Sequence, residues 1–282
     1  MTPTDPPDQG VSAADPVDDA AATETAGPAD GGVSAARALL GRARRVVVLT
    51  GAGVSAESGI PTFRDALTGL WERFDAQELA TPRAFRADPA LVWGWYEWRR
   101  TVVTRARPNP AHLAVAALAA RTPETVVVTQ NVDDLHERAG SGDVVHLHGS
   151  LFQPRCADCA EPWRLPGEPA DEPAEGRRLP PPRCARCSGP VRPGVVWFGE
   201  ALPEAALERA VEAAAACDLL LVVGTSGLVY PAAELPHVAS RFGASVIQVN
   251  PQPTALDEVA DVNLHGPAAR LLPALVGEPA AS

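Results

Sequence analysis

Four cysteines stand as two Cys-x-x-Cys pairs, Cys156 with Cys159 and Cys184 with Cys187. Each pair offers two thiolates on one side of a tight turn, and four thiolates suit a tetrahedral zinc. Such a set leaves no open coordination position, so the metal is expected to be structural and not catalytic. The 24 residues between the pairs slightly exceed the usual ribbon spacing. Four reduced thiols without metal are the alternative. The fifth cysteine, Cys217, reads as a small buried apolar residue at a helix end.

A second pattern is Gly51-Ala-Gly53, placed directly after the β-branched run Val46-Val-Val-Leu-Thr50. A buried strand running into such a turn can bind a nucleotide. Glycines let the backbone approach a pyrophosphate, and exposed N–H groups would then face the anion. The third glycine comes at Gly59, six residues on instead of three, which departs from the common dinucleotide fingerprint. Taken alone, this is an ordinary tight turn. Tyr96 and Arg99 lie at i and i+3, on one face of a helix. A phenol and a guanidinium there could grip a carboxylate by charge-assisted hydrogen bonds. On spacing alone, a packed aromatic beside a solvated charge is the simpler reading.

These residues need a scaffold, and apolar periodicity supplies one. Strands are predicted over residues 46–50, 125–129, 144–149, 219–223 and 245–249. Helices are predicted over 35–43, 89–106, 111–121, 203–216, 231–242 and 267–275, with short pieces at 70–74 and 77–85 around Pro82. Asn109-Pro110 reads as a cap followed by a first-turn proline. Strands alternating with helices give an α/β fold with a doubly wound parallel sheet. Polar clusters follow four strands, at residues 51–55, 130–133, 224–226 and 250, where open α/β sheets hold their ligands.

Composition bounds the rest. The chain has 282 residues, of which 46% are hydrophobic. Residues 1–33 carry seven acids and no Lys or Arg, so the net charge of −11 splits into −7 there and −4 elsewhere. That segment reads as a disordered acidic tail. The expected divisions are a first nucleotide-domain part at 34–151, a metal module at 152–195, a second nucleotide-domain part at 196–276 and a short tail at 277–282. The nearly balanced remainder gives no nucleic-acid-binding face. No apolar run is long enough to span a membrane, and no secretory signal is visible, so a cytoplasmic monomer is expected.

The whole stretch 51–65 resembles the first signature of the sirtuins, the NAD-dependent protein lysine deacylases. Residues 129–136, His148-Gly-Ser150, Val195-Val-Trp-Phe-Gly-Glu200, Gly224-Thr-Ser226 and Val249-Asn-Pro251 resemble later sirtuin signatures, in order. The resemblance covers about residues 35–275. It implies a Rossmann-like NAD domain with a small inserted zinc-binding module. It also implies removal of acyl groups from lysine in protein or peptide substrates, giving nicotinamide and O-acyl-ADP-ribose.

By this resemblance, Gly51, Ala52, Gly53, Ser55 and Glu57 meet the NAD phosphates. Phe63, Arg64 and Trp71 belong to a loop covering NAD, and Gln130, Asn131, Val132 and Asp133 contact nicotinamide and ribose. Gly224, Thr225, Ser226, Asn250, Pro251 and Ala268 serve the adenosine side. His148, with Asn131, is implied as catalytic. A ribose hydroxyl must lose a proton after nicotinamide leaves, and imidazole can take it near neutral pH. His112, His136 and His146 are read as structural, with His146 the rival two residues away. Val195, Val196 and Phe198 resemble the strand that pairs with substrate backbone. Tyr96, Arg99 and Ala76 resemble the acyl pocket of class III sirtuins, which prefer malonyl-, succinyl- and glutaryl-lysine. Two rivals are ADP-ribosyl transfer to protein and a non-catalytic NAD-sensing zinc scaffold. A dehydrogenase fits less well, because of the long Gly53–Gly59 spacing.

Overall fold

The computed structural model describes residues 28–62, 72–122, 124–165 and 176–277. Six parallel strands form the central sheet: β1 (Arg45–Thr50), β2 (Glu124–Thr129), β3 (Val144–His146), β6 (Leu219–Val223), β7 (Ser245–Asn250) and β8 (Val262–His265). Two further strands, β4 (Gly149–Cys156) and β5 (Val191–Val195), pair antiparallel as a separate ribbon. The sheet order is β3-β2-β1-β6-β7-β8. Counted within the sheet this is 3-2-1-4-5-6, the doubly wound order, and it reverses between β1 and β6.

The apolar runs become strands because both faces of the sheet are covered. Val46, Val48, Leu219, Leu221 and Val223 pack on one face against α6 (Pro110–Arg121) and α10 (Ala268–Val276). Their neighbours Val47, Leu49, Leu220 and Val222 pack on the other against α8 (Glu204–Ala216) and α9 (Leu235–Arg241). The period of two along each strand sorts side chains between two cores. A third apolar cluster lies beside the sheet. It is built from α3 (Ala76–Leu79), α4 (Pro82–Ala87), α5 (Pro89–Arg105) and residues of β4 and β5. Asp88 starts α5 by accepting from the Leu91 N–H at 3.0 Å. Asn109 starts α6 by accepting from the Ala111 N–H at 2.9 Å.

Four expectations are corrected. The acidic tail was expected to be disordered through residue 33, but α1 runs over Pro28–Leu40. Its partly buried Val33 and buried Ala36 pack on the β8 and α10 side of the core, and Arg37 donates to the Ala274 carbonyl. Tertiary burial stabilises a helix that composition disfavours. The strand expected over 144–149 is two strands, separated by Leu147 and His148 and restarted at Gly149 with φ +72. The ribbon of the metal module therefore begins before residue 152. The helix expected over 231–242 is a 3-10 turn at Ala232–Glu234 followed by α9. Strand β8, which no sequence pattern flagged, closes the sheet as a four-residue edge. No helix among the described residues is long and apolar enough to cross a membrane.

The switch point is tightly closed. Gly224 has φ +62, and a Cβ placed on it would lie 2.4 Å from the Val54 nitrogen. That contact is with backbone, so a side chain there forces the two turns apart. Gly224→Ala is therefore expected to destabilise the fold by about 2–5 kcal/mol. A fall in the denaturant midpoint with the slope unchanged would be the readout.

Candidate active site and metal centre

The turns after β1, β2, β6 and β7 meet at the switch point. The N–H groups of Gly51 and Gly53 donate to the carbonyls of Val223 and Gly224, at 3.0 and 2.9 Å. This corrects the expectation that those N–H groups face an anion. The glycines serve contact between the β1 and β6 turns instead: a Cβ on either would lie 2.8 Å from the Gly224 carbonyl oxygen. Gln130 Nε2 donates to Thr225 Oγ1 at 3.0 Å, and Asn250 Nδ2 donates to the Thr225 carbonyl at 2.8 Å. Turns from β2, β6 and β7 are thus tied into one rim, in which Ser226 and Val132 are half-buried and Pro251 is exposed.

Ser55 lies in α2 (Gly53–Ala56), under that rim. Its hydroxyl donates to Asp133 Oδ2 at 3.0 Å and accepts from Asn131 Nδ2 at 3.0 Å. His112 Nε2 stands 3.4 Å from the same oxygen. The Asn109 N–H donates to His112 Nδ1 at 3.3 Å, which fixes the proton on Nε2. Burial lowers the His112 pKa to about 4, so the ring is neutral. His136 sits beside it, with ring centroids 5.0 Å apart, and bonds Thr50 Oγ1 at 3.0 Å. Burial, and then His112, lower its pKa to about 3. Asp133 is buried, which raises its carboxyl pKa, while the Leu135 N–H and Ser55 hydroxyl work against the rise. Both histidines are buried beneath the rim and held by hydrogen bonds.

Glu57 points elsewhere than the rim. Its carboxylate accepts the Ala269 N–H at 2.9 Å, capping α10 beside the buried Ala268. Phe63, Arg64 and Trp71 lie outside the described residues.

The two rival histidines differ in what their nitrogens touch. His146 has Nδ1 at 3.2 Å from the Asn131 carbonyl and Nε2 at 2.6 Å from Glu137. Burial opposes charge on this ring, yet the Glu137 carboxylate outweighs it and the pKa is raised. His148 uses only Nδ1, donating to the Gln130 carbonyl at 2.9 Å, and its Nε2 has no partner among the described residues. Burial lowers its pKa, with the Gln130 carbonyl partly offsetting this. His148 therefore keeps its Nε2 available, whereas both ring nitrogens of His146 are engaged.

The proposed acyl-pocket residues lie in a different part of the molecule's interior. Tyr96, Ala76, Phe85, Val195 and Trp197 share the third apolar cluster. Tyr96 is buried, and its pKa is pushed up to about 12 chiefly by that burial, so the phenol keeps its proton. The Arg99 guanidinium stacks 5.1 Å from the Trp95 ring. Burial lowers its pKa, while Tyr96 and Asp133 act against the fall. Arg99 therefore feels both the Tyr96 phenol and the Asp133 carboxylate. The Val196 N–H donates to the His148 carbonyl at 2.8 Å, and the Phe198 N–H to the Ala80 carbonyl at 2.9 Å. These N–H groups are already bonded within the chain, and Phe198 presents its exposed ring.

Sequence reasoning did not single out Ser55 as the hub for Asn131 and Asp133. It also passed over Trp197, whose indole donates to the Tyr96 hydroxyl at 3.0 Å. The only signal for Trp197 was its place inside Val195-Val-Trp-Phe-Gly-Glu200.

The four cysteine sulfurs lie within 4.8 Å of one another. Cys156 and Cys187 are 3.4 Å apart, and Cys159 and Cys184 3.7 Å. A disulfide would need about 2.05 Å, whereas a tetrahedron of 2.3 Å zinc–sulfur bonds sets sulfurs about 3.8 Å apart. The donor set therefore fits a structural zinc. Both turns are built alike: the residue after each second cysteine, Ala160 or Ser188, has φ near 60 (58 and 61). Backbone N–H groups of Asp158 and Gly189 reach Cys156 and Cys187 sulfurs at 3.4 Å. Cys217 stands apart. It is buried at the end of α8, and burial lifts its thiol pKa to about 11.

A model of the Sir2 family matches residues 51–231. The chain belongs to the Sir2 family. A Sir2 relative in Methylococcus capsulatus, an NAD-dependent protein deacylase, is 64% identical over 239 residues, 85% of this chain and 94% of that protein. NAD-dependent protein deacylase 1 of Pseudomonas aeruginosa is 64% identical over 238 residues, 84% of this chain and 95% of that protein. The crystal structure of a Sir2 homologue with NAD matches with TM-score 0.80 and 45% identity, covering 86% of this chain and 92% of that one. A Sir2 complex with a p53 peptide and NAD+ matches with TM-score 0.72 and 32% identity, covering 83% and 93%. NAD is thus the cofactor of this Sir2 fold, and the strand-end rim is where the geometry would hold it.

Purified protein is expected to carry zinc on its four cysteines, and Cys184→Ser to carry almost none. Metal content per chain, with a lowered melting temperature after chelation of the wild type only, checks this.

Proposed function

We propose that this Sir2-family chain is an NAD-dependent protein lysine deacylase that favours acyl groups ending in a carboxylate, such as succinyl, malonyl or glutaryl. The deacylase activity is supported by the family and by relatives bearing that name. The finer preference rests on one observation: a buried phenol that keeps its proton, Tyr96, and a half-buried guanidinium, Arg99, 5.1 Å from the Trp95 ring, stand on one face of α5 beside an apolar wall. A cation disfavoured by burial gains more from an incoming carboxylate than a solvated one does. Ala76, small and buried in the same wall, leaves room for the longer acyl chain.

Bound NAD supplies the ribose carbon that accepts the acyl oxygen as nicotinamide departs. The chain's own residues hold and deprotonate. Asn131, fixed through Ser55, would meet the ribose, and Asp133 would help to orient it. The rim residues Gln130, Thr225 and Asn250 would hold the two ends of the dinucleotide. His148 Nε2 would take the proton from a ribose hydroxyl, because Nδ1–H is committed to Gln130. Substrate backbone would lie along Val195–Phe198, beside the exposed Phe198 ring.

Two measurements test this. Arg99→Met should lower the succinyl-to-acetyl ratio of kcat/KM by about 10- to 100-fold, the size of a hydrogen bond to charge; equal losses on both peptides would refute the preference. The lowered His148 pKa places the rising limb of kcat/KM below pH 6.5, since the base must be neutral. His148→Tyr should cut turnover by about 100-fold or more without lowering the melting temperature. O-acyl-ADP-ribose among the products separates deacylation from ADP-ribosyl transfer.

A further inference from the structure

The wall behind Tyr96 contains an arginine whose burial packing alone does not explain. Arg192 lies in β5 and is 8% exposed. Its guanidinium carbon stands 3.5 Å from the Trp197 ring centroid. Glu200 grips it with both oxygens, at 2.6 and 2.8 Å, and the Val195 carbonyl accepts from it at 3.0 Å. Glu200 also accepts the Trp197 N–H at 2.9 Å. The Phe85 ring lies 5.2 Å from Trp197. An apolar residue would fill the same volume without the cost of burying a cation. What the ion pair adds is a fixed plane for the indole, held by its backbone, its face and its edge.

That edge carries the consequence. Trp197 Nε1–H donates to the Tyr96 hydroxyl. An indole nitrogen only donates, whereas a phenol has one hydrogen and two lone pairs. With one lone pair held by the indole, the Tyr96 hydrogen must find its acceptor elsewhere. We infer that Trp197, clamped by Arg192 and Glu200, is a positioning residue for acyl selectivity that sets Tyr96 as a hydrogen-bond donor to the acyl carboxylate. The inference rests on the carboxylate reading of Tyr96 and Arg99. Acetyl-lysine has no carboxylate to receive that hydrogen, so the effect belongs to the succinyl substrate.

The test uses the full chain with succinyl- and acetyl-lysine forms of one peptide. Trp197→Phe should lower the succinyl-to-acetyl ratio of kcat/KM by about five- to tenfold, carried in the KM for the succinyl peptide. Added to Tyr96→Phe, the same change should lower the ratio no further, because the hydroxyl it orients is gone. Glu200→Gln keeps the side chain's size while weakening the clamp, and should move the ratio the same way by about threefold; it decides the matter if Trp197→Phe does not fold. Equal losses on both peptides, or full additivity with Tyr96→Phe, would overturn the inference. If wild type shows no succinyl preference, or Arg99→Met leaves the ratio unchanged, the carboxylate reading fails and takes the inference with it. If those two controls behave and Trp197→Phe leaves the ratio unmoved, only the positioning role falls.

Discussion

The contact on which this molecule depends is backbone against backbone, between the turn after β1 and the turn after β6. Gly51, Gly53 and Gly224 have no side chains to hold these turns apart, and two N–H···O bonds join them. The contact sits where the strand order reverses, the one place in a doubly wound sheet where neighbouring loops diverge to opposite faces. Closing it brings β1 and β6 together at their carboxyl ends. The turns after β2 and β7 then join them through Gln130, Thr225 and Asn250. A cleft rim made from four strand ends follows from one tolerance at glycine.

Below the rim, polar groups are linked in a chain with a fixed sense. The Asn109 N–H orients His112, His112 and Asn131 converge on the Ser55 hydroxyl, and Ser55 gives its own hydrogen to Asp133. Two neutral imidazoles, His112 and His136, underlie the site because burial outweighs their affinity for a proton. A charged ring there would bury an uncompensated cation. The same physics separates His146 from His148. One has a carboxylate on its second nitrogen, which favours the charged ring; the other has none among the described residues, and burial disfavours it.

Much of this was legible in the sequence, because the responsible patterns are local. The runs Val46–Leu49 and Leu219–Val223 read as buried strands, Asn109-Pro110 read as a helix start, and the cysteine pairs read as a zinc site. The unread parts depend on distant contacts. Residues 28–33 have the composition of a tail and become helical because the following turns pack against β8 and α10. The edge strand β8 is too short for its alternation to stand out. The Gly-x-Gly turn pointed to the right place for an incomplete reason, since its N–H groups bond another turn. Spacing could not rank His146 against His148 or reveal that Trp197 touches Tyr96, since both depend on where side chains turn.

Helix α5 ties together two regions that look separate along the chain. Near its start the Ala90 carbonyl accepts the Leu179 N–H, and Gly94 admits the Arg177 backbone so closely that a Cβ would meet its oxygen at 2.1 Å. Arg178 pairs with Asp88 at the cap of the same helix. Tyr96 and Arg99 follow within about two and a half turns of Ala90, and a helix rises about 1.5 Å per residue, so about 14 Å separate Ala90 from Arg99. Over that distance a hydrogen-bonded helix transmits displacement as a rod does. The loop leading to the second cysteine pair and the residues Tyr96 and Arg99 are thus mounted on a single beam. A displacement of that loop would therefore be carried along the helix to Tyr96 and Arg99.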